Sequence, residues 1–248
     1  MKRGNNSPAA GPRASGIRPV RAVLFDLDGT LIDTEVHTDA AISVVAAQYG
    51  IGGFNLPHTE TRGRTWLHVA ETMRARAVIG APAAEIAAAM LHYWSDAVAD
   101  ARPILGAPQA VHTAVARQIR VAVVSSSPRS VIDYFIDKLG IGACVSPRAR
   151  IGADGVRVGK PDPEGFLLAA RALGVDPADT VVVEDSRAGL LAARAAGMRS
   201  MFITCCAAEI PENSALATTT FTDYQQLPSG FWDEMAAGTA DLANRVFL

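Results

Sequence analysis

The sequence predicts an α/β fold, a doubly wound parallel sheet with an inserted α-helical subdomain. Short, nearly continuous apolar runs rich in β-branched residues alternate with segments of helical pattern, as is typical of parallel strands buried on both faces. The alternation is broken once, from residue 34 to about residue 102, where helical patterns follow one another without a convincing strand. We therefore expect a sheet-based core that is interrupted, after its first strand, by a helical insertion.

These patterns divide the 248-residue chain into four parts. We expect a disordered leader over residues 1–19, which is rich in Gly, Pro, Ser, Asn and Arg and lacks the apolar segment of a signal peptide. The catalytic core is expected over residues 20–33 and 104–228, and the inserted helical cap over residues 34–103. Residues 229–248 form a C-terminal tail to which the sequence assigns no chemistry.

The core elements follow in order along the chain. The strands are predicted at Val20–Phe25, Val121–Val124, Val181–Val183 and Met201–Thr204, with a weak candidate at Ala143–Ser146. The helices between them are predicted at about 107–118, 129–139, 163–173 and 186–196. Ser186 and Gly197 are typical residues for the start and end of the last helix. Asp154-Gly155 is typical of a hairpin turn.

Three helices are predicted in the cap, each beginning at a residue that commonly starts a helix. Thr34, Thr65 and Pro82 are these starting residues, and the helices extend to Tyr49, Val78 and about Ala101. The hinges between cap and core are expected near residues 33–35 and 102–106.

Composition and charge restrict the function classes. The hydrophobic fraction is 49% and the formal net charge is −2, so no basic excess indicates nucleic-acid binding. No run of about 18 apolar residues is present to span a membrane. The three cysteines, Cys144, Cys205 and Cys206, are an odd number with two adjacent, which favours reduced thiols over a disulfide framework. We expect a cytoplasmic protein, a monomer or small homo-oligomer, that binds neither nucleic acid nor membrane.

Asp26 and Asp28 lie where the first predicted strand ends, and Gly29 allows a sharp exit from it. Residues two apart on a strand share a face, so both carboxylates could reach the carboxyl edge of the sheet, where open α/β sheets bind ligands. Neighbouring carboxylates repel unless a cation joins them, and a hard cation such as Mg²⁺ takes oxygen ligands. The alternative is an aspartate-rich turn without a ligand.

Four motifs are expected to meet at this edge, because the carboxyl ends of parallel strands lie together. Taken singly, each has an ordinary interpretation as a turn, a solvated lysine or a helix cap. Taken together, they supply a nucleophile, a proton-transfer carboxylate, a hydroxyl donor, a cation and a metal-binding acid. The motifs are Asp26-Leu27-Asp28-Gly29-Thr30, Ser125-Ser126-Ser127, Gly159-Lys160-Pro161-Asp162-Pro163 and Glu184-Asp185-Ser186.

With these four motifs in this order, the chain resembles the haloacid dehalogenase superfamily over about residues 20–228. The closest likeness is to phosphatases with a helical cap inserted after the first motif, and Lys-Pro-Asp-Pro-Glu-Gly-Phe at 160–166 is similar to sugar-phosphate phosphatases. The resemblance implies a Rossmann-like core, a requirement for Mg²⁺ and an aspartyl-phosphate intermediate.

The resemblance also implies roles for the catalytic residues. Asp26 would attack phosphorus and become phosphorylated. Asp28 would protonate the leaving alcohol and then activate the hydrolytic water. Lys160 would neutralise charge on Asp26 and on the phosphoryl group.

The binding residues follow from the same resemblance. Ser125, with Ser126 beside it, would bind the phosphoryl oxygens of the substrate. Asp185 would hold Mg²⁺ together with Asp26 and the backbone carbonyl of Asp28. Glu184 is a further candidate that would reach the metal through water.

Asp28 and the positions of the lysines distinguish between the activities known in this superfamily. Dehalogenases resemble the first motif without a second aspartate, so Asp28 favours a phosphoryl substrate. Phosphonate-cleaving relatives use a cap lysine, and the lysines here, Lys2, Lys138 and Lys160, lie outside the cap. A β-phosphoglucomutase-type mutase remains the alternative. Such mutases use both arginine and lysine of the cap, and this cap contains no lysine. A receiver-like phospho-acceptor module fits less well, since it needs neither the cap nor Asp28.

The loop at 58–64 is the candidate for substrate selection. Gly63 allows a tight turn, and Arg62 and Arg64 could bind an anionic or polyol group, although both could equally be solvated charges. The sequence thus predicts a Mg²⁺-dependent phosphatase that acts on a small phosphomonoester, a sugar or polyol phosphate.

Overall fold

The structure is a computed structural model that describes residues 18–242 and 245–247. Over these residues seven parallel strands form one sheet in the order β3-β2-β1-β4-β5-β6-β7. The strands are β1 (Ala22–Phe25), β2 (Arg120–Val124), β3 (Arg150–Ile151), β4 (Thr180–Glu184), β5 (Arg199–Ile203), β6 (Thr219–Phe221) and β7 (Arg245–Phe247). The predicted parallel sheet is therefore confirmed, and its four strongest strand predictions correspond to β1, β2, β4 and β5.

The helices flank this sheet. They are α1 (Glu35–Gln48), α2 (His58–Thr61), α3 (Trp66–Ala77), α4 (Ala83–Ala97), α5 (Ala107–Ala116), α6 (Arg129–Lys138), α7 (Glu164–Leu173), α8 (Arg187–Ala195), α9 (Ile210–Ser214) and α10 (Phe231–Ala237). The four helices predicted for the core correspond to α5–α8, with ends that differ by at most two residues. As predicted, α8 begins with a side-chain cap, since the Ser186 hydroxyl accepts a hydrogen bond from the Gly189 amide.

Two local predictions in the core are wrong. The segment Ala143–Ser146 is a turn, and the neighbouring strand is β3, which begins at Arg150 after a short 3₁₀ helix. Asp154-Gly155 is not a hairpin turn, because Ala153–Gly155 is a 3₁₀ helix and no strand follows it directly. The strand β3 pairs through only two residues with β2, too short a segment to give a strong sequence pattern.

The register of the central strands positions the motifs. In β1, Phe25 is opposite Val123 of β2 on one side and Val183 of β4 on the other. Each of the three strands ends at, or one residue after, this set of paired residues. The polar residues at their ends, beginning with Asp26 after β1, Ser125 after β2 and Glu184 at the end of β4, therefore emerge at one edge of the sheet.

The helical segments predicted for the cap are α1, α3 and α4, and the structure adds the single turn α2 in the loop before α3. Helix α4 packs against both α1 and α3. Thr65 begins α3 as predicted, because its hydroxyl accepts a hydrogen bond from the His68 amide. Thr34 directly precedes α1 as predicted, but its side chain makes no cap hydrogen bond there, because its hydroxyl donates to Asp28.

One tryptophan connects the cap with the core. Trp94 on α4 is 1% exposed, and its ring lies 5.9 Å from that of Trp66 and 6.4 Å from that of Phe135 on α6, measured between centroids. Cap and core side chains thus belong to one hydrophobic cluster.

The C-terminal segment packs with the core instead of forming a separate tail. Helix α10 buries Phe231, Trp232 and Met235, and the Trp232 ring lies 6.5 Å from Phe25 of β1. The strand β7 extends the sheet beside β6. Of the predicted leader, residues 1–17 lie outside the described residues. Over the described residues, none of the helices has the length and apolar character needed to cross a bilayer.

Candidate active site

Three buried carboxylates converge at the carboxyl edge of the sheet. Asp26 follows β1, Glu184 ends β4 and Asp185 follows it, and one ligand oxygen from each lies within 4.8 Å of the others. All three residues are at most 4% exposed. Such a group of oxygen ligands is what a hard divalent cation prefers.

Lys160 is the cation of this cluster in the structure. Its Nζ donates hydrogen bonds to Asp26 Oδ1 and to Glu184 Oε1, and it forms ion pairs with both carboxylates. Burial alone would lower the pKa of Lys160, but the attraction of Asp26 and Glu184 outweighs it and raises that pKa. Lys160 is therefore a fixed positive charge directly beside Asp26.

One ammonium group does not balance this much buried negative charge. Burial raises the pKa of Asp26 well above its usual range, against the attraction of Lys160 and with repulsion from Glu184. Burial also raises the pKa of Asp185, with repulsion from Glu35 and Glu184.

The same site leaves a polar atom without a partner. Asp185 Oδ2 is buried and accepts no hydrogen bond from the described residues, while Asp185 Oδ1 accepts one from the Thr30 hydroxyl at 3.2 Å. A buried carboxylate oxygen is costly unless it is paired. The donor set, the excess negative charge and this unpartnered oxygen together fit a divalent cation.

Gly29 allows the loop after β1 to approach Asp185. Its φ is +74°, and a Cβ at this position would overlap the Asp185 carboxylate. A residue with a side chain would therefore be strained and would also displace a carboxylate of the cluster.

Asp28 lies beside the cluster but has hydroxyl partners. Its Oδ2 accepts hydrogen bonds from Ser125 Oγ at 3.0 Å and Ser127 Oγ at 2.9 Å, and its Oδ1 accepts one from Thr34 Oγ1 at 3.0 Å. Burial raises the pKa of Asp28, although the three hydroxyl groups oppose the rise. A carboxyl held in this way can exchange a proton with a group in the cavity.

The serines proposed to bind substrate have protein partners in this structure. Ser125 donates to Asp28 and its Oγ accepts a hydrogen bond from the Ser127 amide at 2.9 Å. Ser126 Oγ donates to the carbonyl of Gly63 in the cap loop at 2.8 Å. Ser126 therefore connects the core with the cap.

The two cap arginines face the core and are not free surface charges. Arg62 Nε lies 3.3 Å from Glu35 Oε2, and Arg62 Nη1 donates to the backbone carbonyl of Cys206. Arg64 Nη1 donates to the backbone carbonyl of Lys160 at 3.1 Å. Burial raises the pKa of Glu35 to about 7, although Arg62 opposes the rise.

A cavity of about 40 Å³ lies between cap and core. Its wall includes Asp26 and Asp28 from the core and Arg62, Arg64 and Trp94 from the cap. A site for a small ligand is usually about 300 Å³ or more. The structure therefore shows the cap closed on a cavity too small for a sugar phosphate.

The sequence alone did not indicate several residues of the site. Thr34 was expected to start a helix, Glu35 to lie at a hinge of the cap, and Cys206 to be a reduced thiol. Each acquires its place through a partner distant in the chain or across a loop, and such contacts leave no local pattern. Thr30 and Ser127 could have been found, because they lie within the first and second motifs.

Sequence comparisons place these residues in a known group of enzymes. The model of one family, described as haloacid dehalogenase-like hydrolase, matches residues 20–197. The chain is similar to validoxylamine A 7′-phosphate phosphatase of Streptomyces hygroscopicus subsp. limoneus, at 32% identity over 74% of this chain and 85% of that one. It is also similar to hexitol phosphatase B of Escherichia coli (strain K12), at 29% identity over 85% of this chain and 95% of that one.

Solved structures share the fold. A β-phosphoglucomutase from Clostridium difficile is similar over 88% of this chain and 97% of that one, with a TM-score of 0.73 and 20% sequence identity. At this level of identity, the likeness shows a common architecture and not a common reaction.

Proposed function

The chain belongs to the haloacid dehalogenase-like hydrolases, and from this premise we propose that it is a Mg²⁺-dependent phosphatase acting on a small phosphomonoester, a sugar or polyol phosphate. It is an enzyme of the phosphoric monoester hydrolase class, as the relatives named as phosphatases indicate. One observation carries the proposal: Asp26, paired with Lys160, shares a closed cavity with the hydroxyl-bonded Asp28.

The reaction is proposed to take place in two displacements at phosphorus. In the first, an Asp26 carboxylate oxygen attacks phosphorus, the bond from phosphorus to the ester oxygen breaks, and Asp28 gives its proton to the departing alcohol. In the second, Asp28 takes a proton from water as that water attacks phosphorus, which releases inorganic phosphate and restores Asp26. Dividing the reaction in this way replaces one difficult step by two easier ones.

The protein's charges would stabilise both displacements. Negative charge is spread over the phosphoryl oxygens during transfer, and Lys160 lies where it can neutralise part of it. Asp26, Asp185 and the backbone carbonyl of Asp28 would hold Mg²⁺, with Glu184 as a further ligand through water. The bound ion supplies neutralisation of phosphoryl charge.

Binding of substrate would require the cap to open. The cavity of about 40 Å³ admits little more than water, so substrate would enter as the cap (34–103) moves away from the core. Ser125 and Ser126 would then exchange their present partners for phosphoryl oxygens. Arg62 and Arg64 would contact the alcohol portion of the substrate. Closure excludes bulk water from the first displacement.

The mutase alternative has less support. Residues 34–103 contain no lysine to hold a reoriented bisphosphate, and the relatives reported above are named as phosphatases. The β-phosphoglucomutase neighbour shares the fold only. We also propose that the protein acts in the cytoplasm, where its three free thiols would stay reduced.

Phosphate release tests the proposal directly. The purified protein with Mg²⁺ is expected to release phosphate from at least one member of a panel of sugar, polyol and short-acid phosphates. Asp26→Asn should abolish this release. Turnover that persists in Asp26→Asn would exclude Asp26 as the nucleophile. With β-glucose 1-phosphate and a bisphosphate primer, glucose 6-phosphate that forms faster than free phosphate would favour the mutase.

A further inference from the structure

Two adjacent cysteines lie where the core meets the cap, and the reaction proposed above does not use them. Cys205 and Cys206 follow β5 at the active-site edge of the sheet, and both are free thiols. Cys205 is exposed and Cys206 is half-buried. The third cysteine, Cys144, lies in the turn before β3, where its Sγ is 3.2 Å from His112 Nδ1.

The Cys206 backbone is one anchor of the cap loop. Its carbonyl accepts a hydrogen bond from Arg62 Nη1, and the same guanidinium forms an ion pair with Glu35 at the start of α1. Arg62 also lines the cavity of the active site. A change in the position of the Cys206 carbonyl would therefore change the contact that holds Arg62 of the cap loop on the core.

We propose that Cys205 and Cys206 form a peroxide-sensitive modification site, which closes to a reversible vicinal disulfide and so weakens the contact between Arg62 and the core.

The two thiols differ in exposure and in pKa, as reaction with peroxide followed by disulfide formation requires. A hydrogen bond from the Cys206 thiol lowers the pKa of the Cys205 thiol. The reciprocal interaction with Cys205, together with burial, raises the pKa of the Cys206 thiol. An accessible thiolate is the form that reacts with peroxide. Cys205 is thus the attacking sulfur, and Cys206 is the neighbour that resolves the product.

The steps balance with hydrogen peroxide as the oxidant. The Cys205 thiolate attacks one peroxide oxygen, the O–O bond breaks, and the second oxygen leaves as hydroxide, which becomes water. The Cys206 sulfur then attacks the sulfur of the sulfenic acid. The S–S bond forms, the S–O bond breaks, and the Cys206 proton leaves with the hydroxyl group as a second water. Two thiols are oxidised and one peroxide is reduced.

Closure of this ring must move the backbone. The peptide bond between the two cysteines is trans, which holds their Cα atoms about 3.8 Å apart. Disulfides usually join Cα atoms about 4.4–6.8 Å apart, so the peptide has to distort before the sulfurs can bond. The Cys206 carbonyl that accepts from Arg62 belongs to the next peptide unit, so we expect the distortion to reach it through the Cys206 backbone. A strained, exposed disulfide is also readily reduced, which makes the change reversible.

The chemistry is tested first, by mass spectrometry of the folded protein after exposure to hydrogen peroxide. The peptide that contains both cysteines is expected to lose the mass of two hydrogen atoms and to recover it with dithiothreitol. Cys205→Ser and Cys206→Ser should each prevent the loss. Cys144→Ser is the matched control and should leave it unchanged. Absence of the disulfide from the wild-type protein, or its formation only through Cys144, would overturn the proposal.

The functional consequence is read from turnover of p-nitrophenyl phosphate, and this readout rests on the proposed phosphatase function. Oxidation is expected to lower kcat/KM by about tenfold, the loss typical of one hydrogen bond to a charged group, and dithiothreitol should restore it. Cys205→Ser leaves the residue that accepts from Arg62 unchanged, so it should retain basal turnover and become insensitive to peroxide. A disulfide that forms without any change in turnover would overturn the coupling to Arg62.

Amide hydrogen exchange separates a failure of this inference from a failure of the phosphatase proposal. If the reduced wild-type protein hydrolyses no phosphomonoester, the proposed function fails, but the disulfide and its effect on the cap loop can still be measured. Exchange over residues 58–65 should rise on oxidation in the wild-type protein and not in Cys206→Ser. Unchanged exchange in a fully oxidised sample would contradict the inference independently of activity.

Discussion

Among single residues, Asp28 is the one whose surroundings best indicate its role. Three hydroxyl groups hold its carboxylate, and none of the cluster's ion pairs includes it. Burial nevertheless raises its pKa. This environment suits a group that holds a proton and gives it up. Lys160 beside Asp26 favours the charged carboxylate there and opposes the rise that burial causes in the pKa of Asp26.

Asp28→Asn removes the transferable proton and keeps the size of the side chain. We expect kcat to fall by about 10²–10⁴-fold for an alkyl phosphate, whose alkoxide leaves poorly without a proton. For p-nitrophenyl phosphate, whose leaving group needs no proton, the first displacement should slow much less, whereas the second displacement, which uses Asp28 as a base, should slow for both substrates. Release of the alcohol in a single turnover measures the first displacement by itself in wild type and variant. An equal loss of this single-turnover rate on both substrates would contradict the role of Asp28 as an acid.

Glu35 predicts a pH dependence of stability in the metal-free protein. Burial raises its pKa from 4.5 to about 7 in the folded state. Between these two pH values the folded protein binds more protons than the unfolded chain, so the free energy of unfolding falls as pH rises. The shift corresponds to about 3 kcal/mol lost between pH 4.5 and pH 7. Urea unfolding in EDTA should show this loss relative to Glu35→Gln, which cannot titrate.

Glu164 is a control for Glu35, because its pKa is lowered and the stability it contributes changes with pH in the opposite direction. Hydrogen bonds from the Val158 and Arg157 amides lower the pKa of this partly exposed carboxylate, and the Arg157 side chain adds to the effect. Its stabilising contribution is therefore present above its unfolded pKa and is lost as pH falls through the lowered value. Glu164→Gln should be less stable than wild type at neutral pH, with the gap closing towards acid. For Glu35, a free energy of unfolding that changes with pH in the same way in Glu35→Gln and in wild type would contradict the burial of the Glu35 carboxyl.

At this scale, the sequence predicts which residues meet but not all of their partners. Asp26 and Asp185 directly follow parallel strands, so the sheet brings them together, and Lys160 reaches them from the loop between β3 and α7. The sequence does not reveal that Arg62 contacts Glu35 and the Cys206 carbonyl. Those contacts depend on how far the cap is closed, which no local pattern encodes.

Among the elements, the loop from β1 towards the cap has the strictest steric requirement. Gly29 has a positive φ and lies against Asp185, whereas Gly50, after α1, has a φ of +79° and open space around it. Replacing either glycine by alanine should cost about 1–2 kcal/mol for the left-handed backbone. Only Gly29→Ala should also displace a carboxylate of the cluster.

We therefore expect Gly29→Ala to lower the affinity for Mg²⁺ by about 10–100-fold, while Gly50→Ala leaves it unchanged. Calorimetric titration with Mg²⁺ measures the affinity, and urea unfolding measures the shared backbone cost. Equal Mg²⁺ affinity in the two variants would argue against metal binding at Asp185.

The strands that the sequence predicts correctly are those that are long and buried. The strands β1, β2 and β4 contain apolar runs of three or four residues with almost continuous burial, so their pattern is clear. By contrast, β6 is Thr219-Thr220-Phe221, a buried strand of three residues with two hydroxyl side chains. Its place is set by pairing with β5 and β7, which the local sequence does not encode.

At the scale of the whole molecule, helix α10 lies beyond the predicted core and packs on it. Trp232 of α10 is 6% exposed and packs near Phe25 at the centre of the sheet. Trp232→Ala should lower the free energy of unfolding by about 3–5 kcal/mol. Leu67→Ala, at a half-exposed cap residue, should change it by no more than about 0.5 kcal/mol. Similar midpoints in urea for the two variants would contradict the packing of α10 on the core.

Cap and core form one hydrophobic cluster in the closed structure, yet the proposed reaction needs them to separate. Trp94 connects them through Trp66 and Phe135, and Ser126 bonds the Gly63 carbonyl across the same boundary. The cavity of this closed structure is too small for a sugar phosphate, so in the proposed reaction the cap would open for entry of substrate and close again around it. The sequence predicts the insertion of the cap, but the extent of its closure depends on these few contacts.

The central claim is that Asp26 carries the phosphoryl group between the two displacements. An acyl phosphate trapped during turnover can be reduced with tritiated borohydride, and the labelled peptide can then be sequenced. We expect the label at position 26 only, dependent on substrate and Mg²⁺ and absent from Asp26→Asn. Label at another carboxylate, or continued phosphate release with no trapped label at Asp26, would contradict the account.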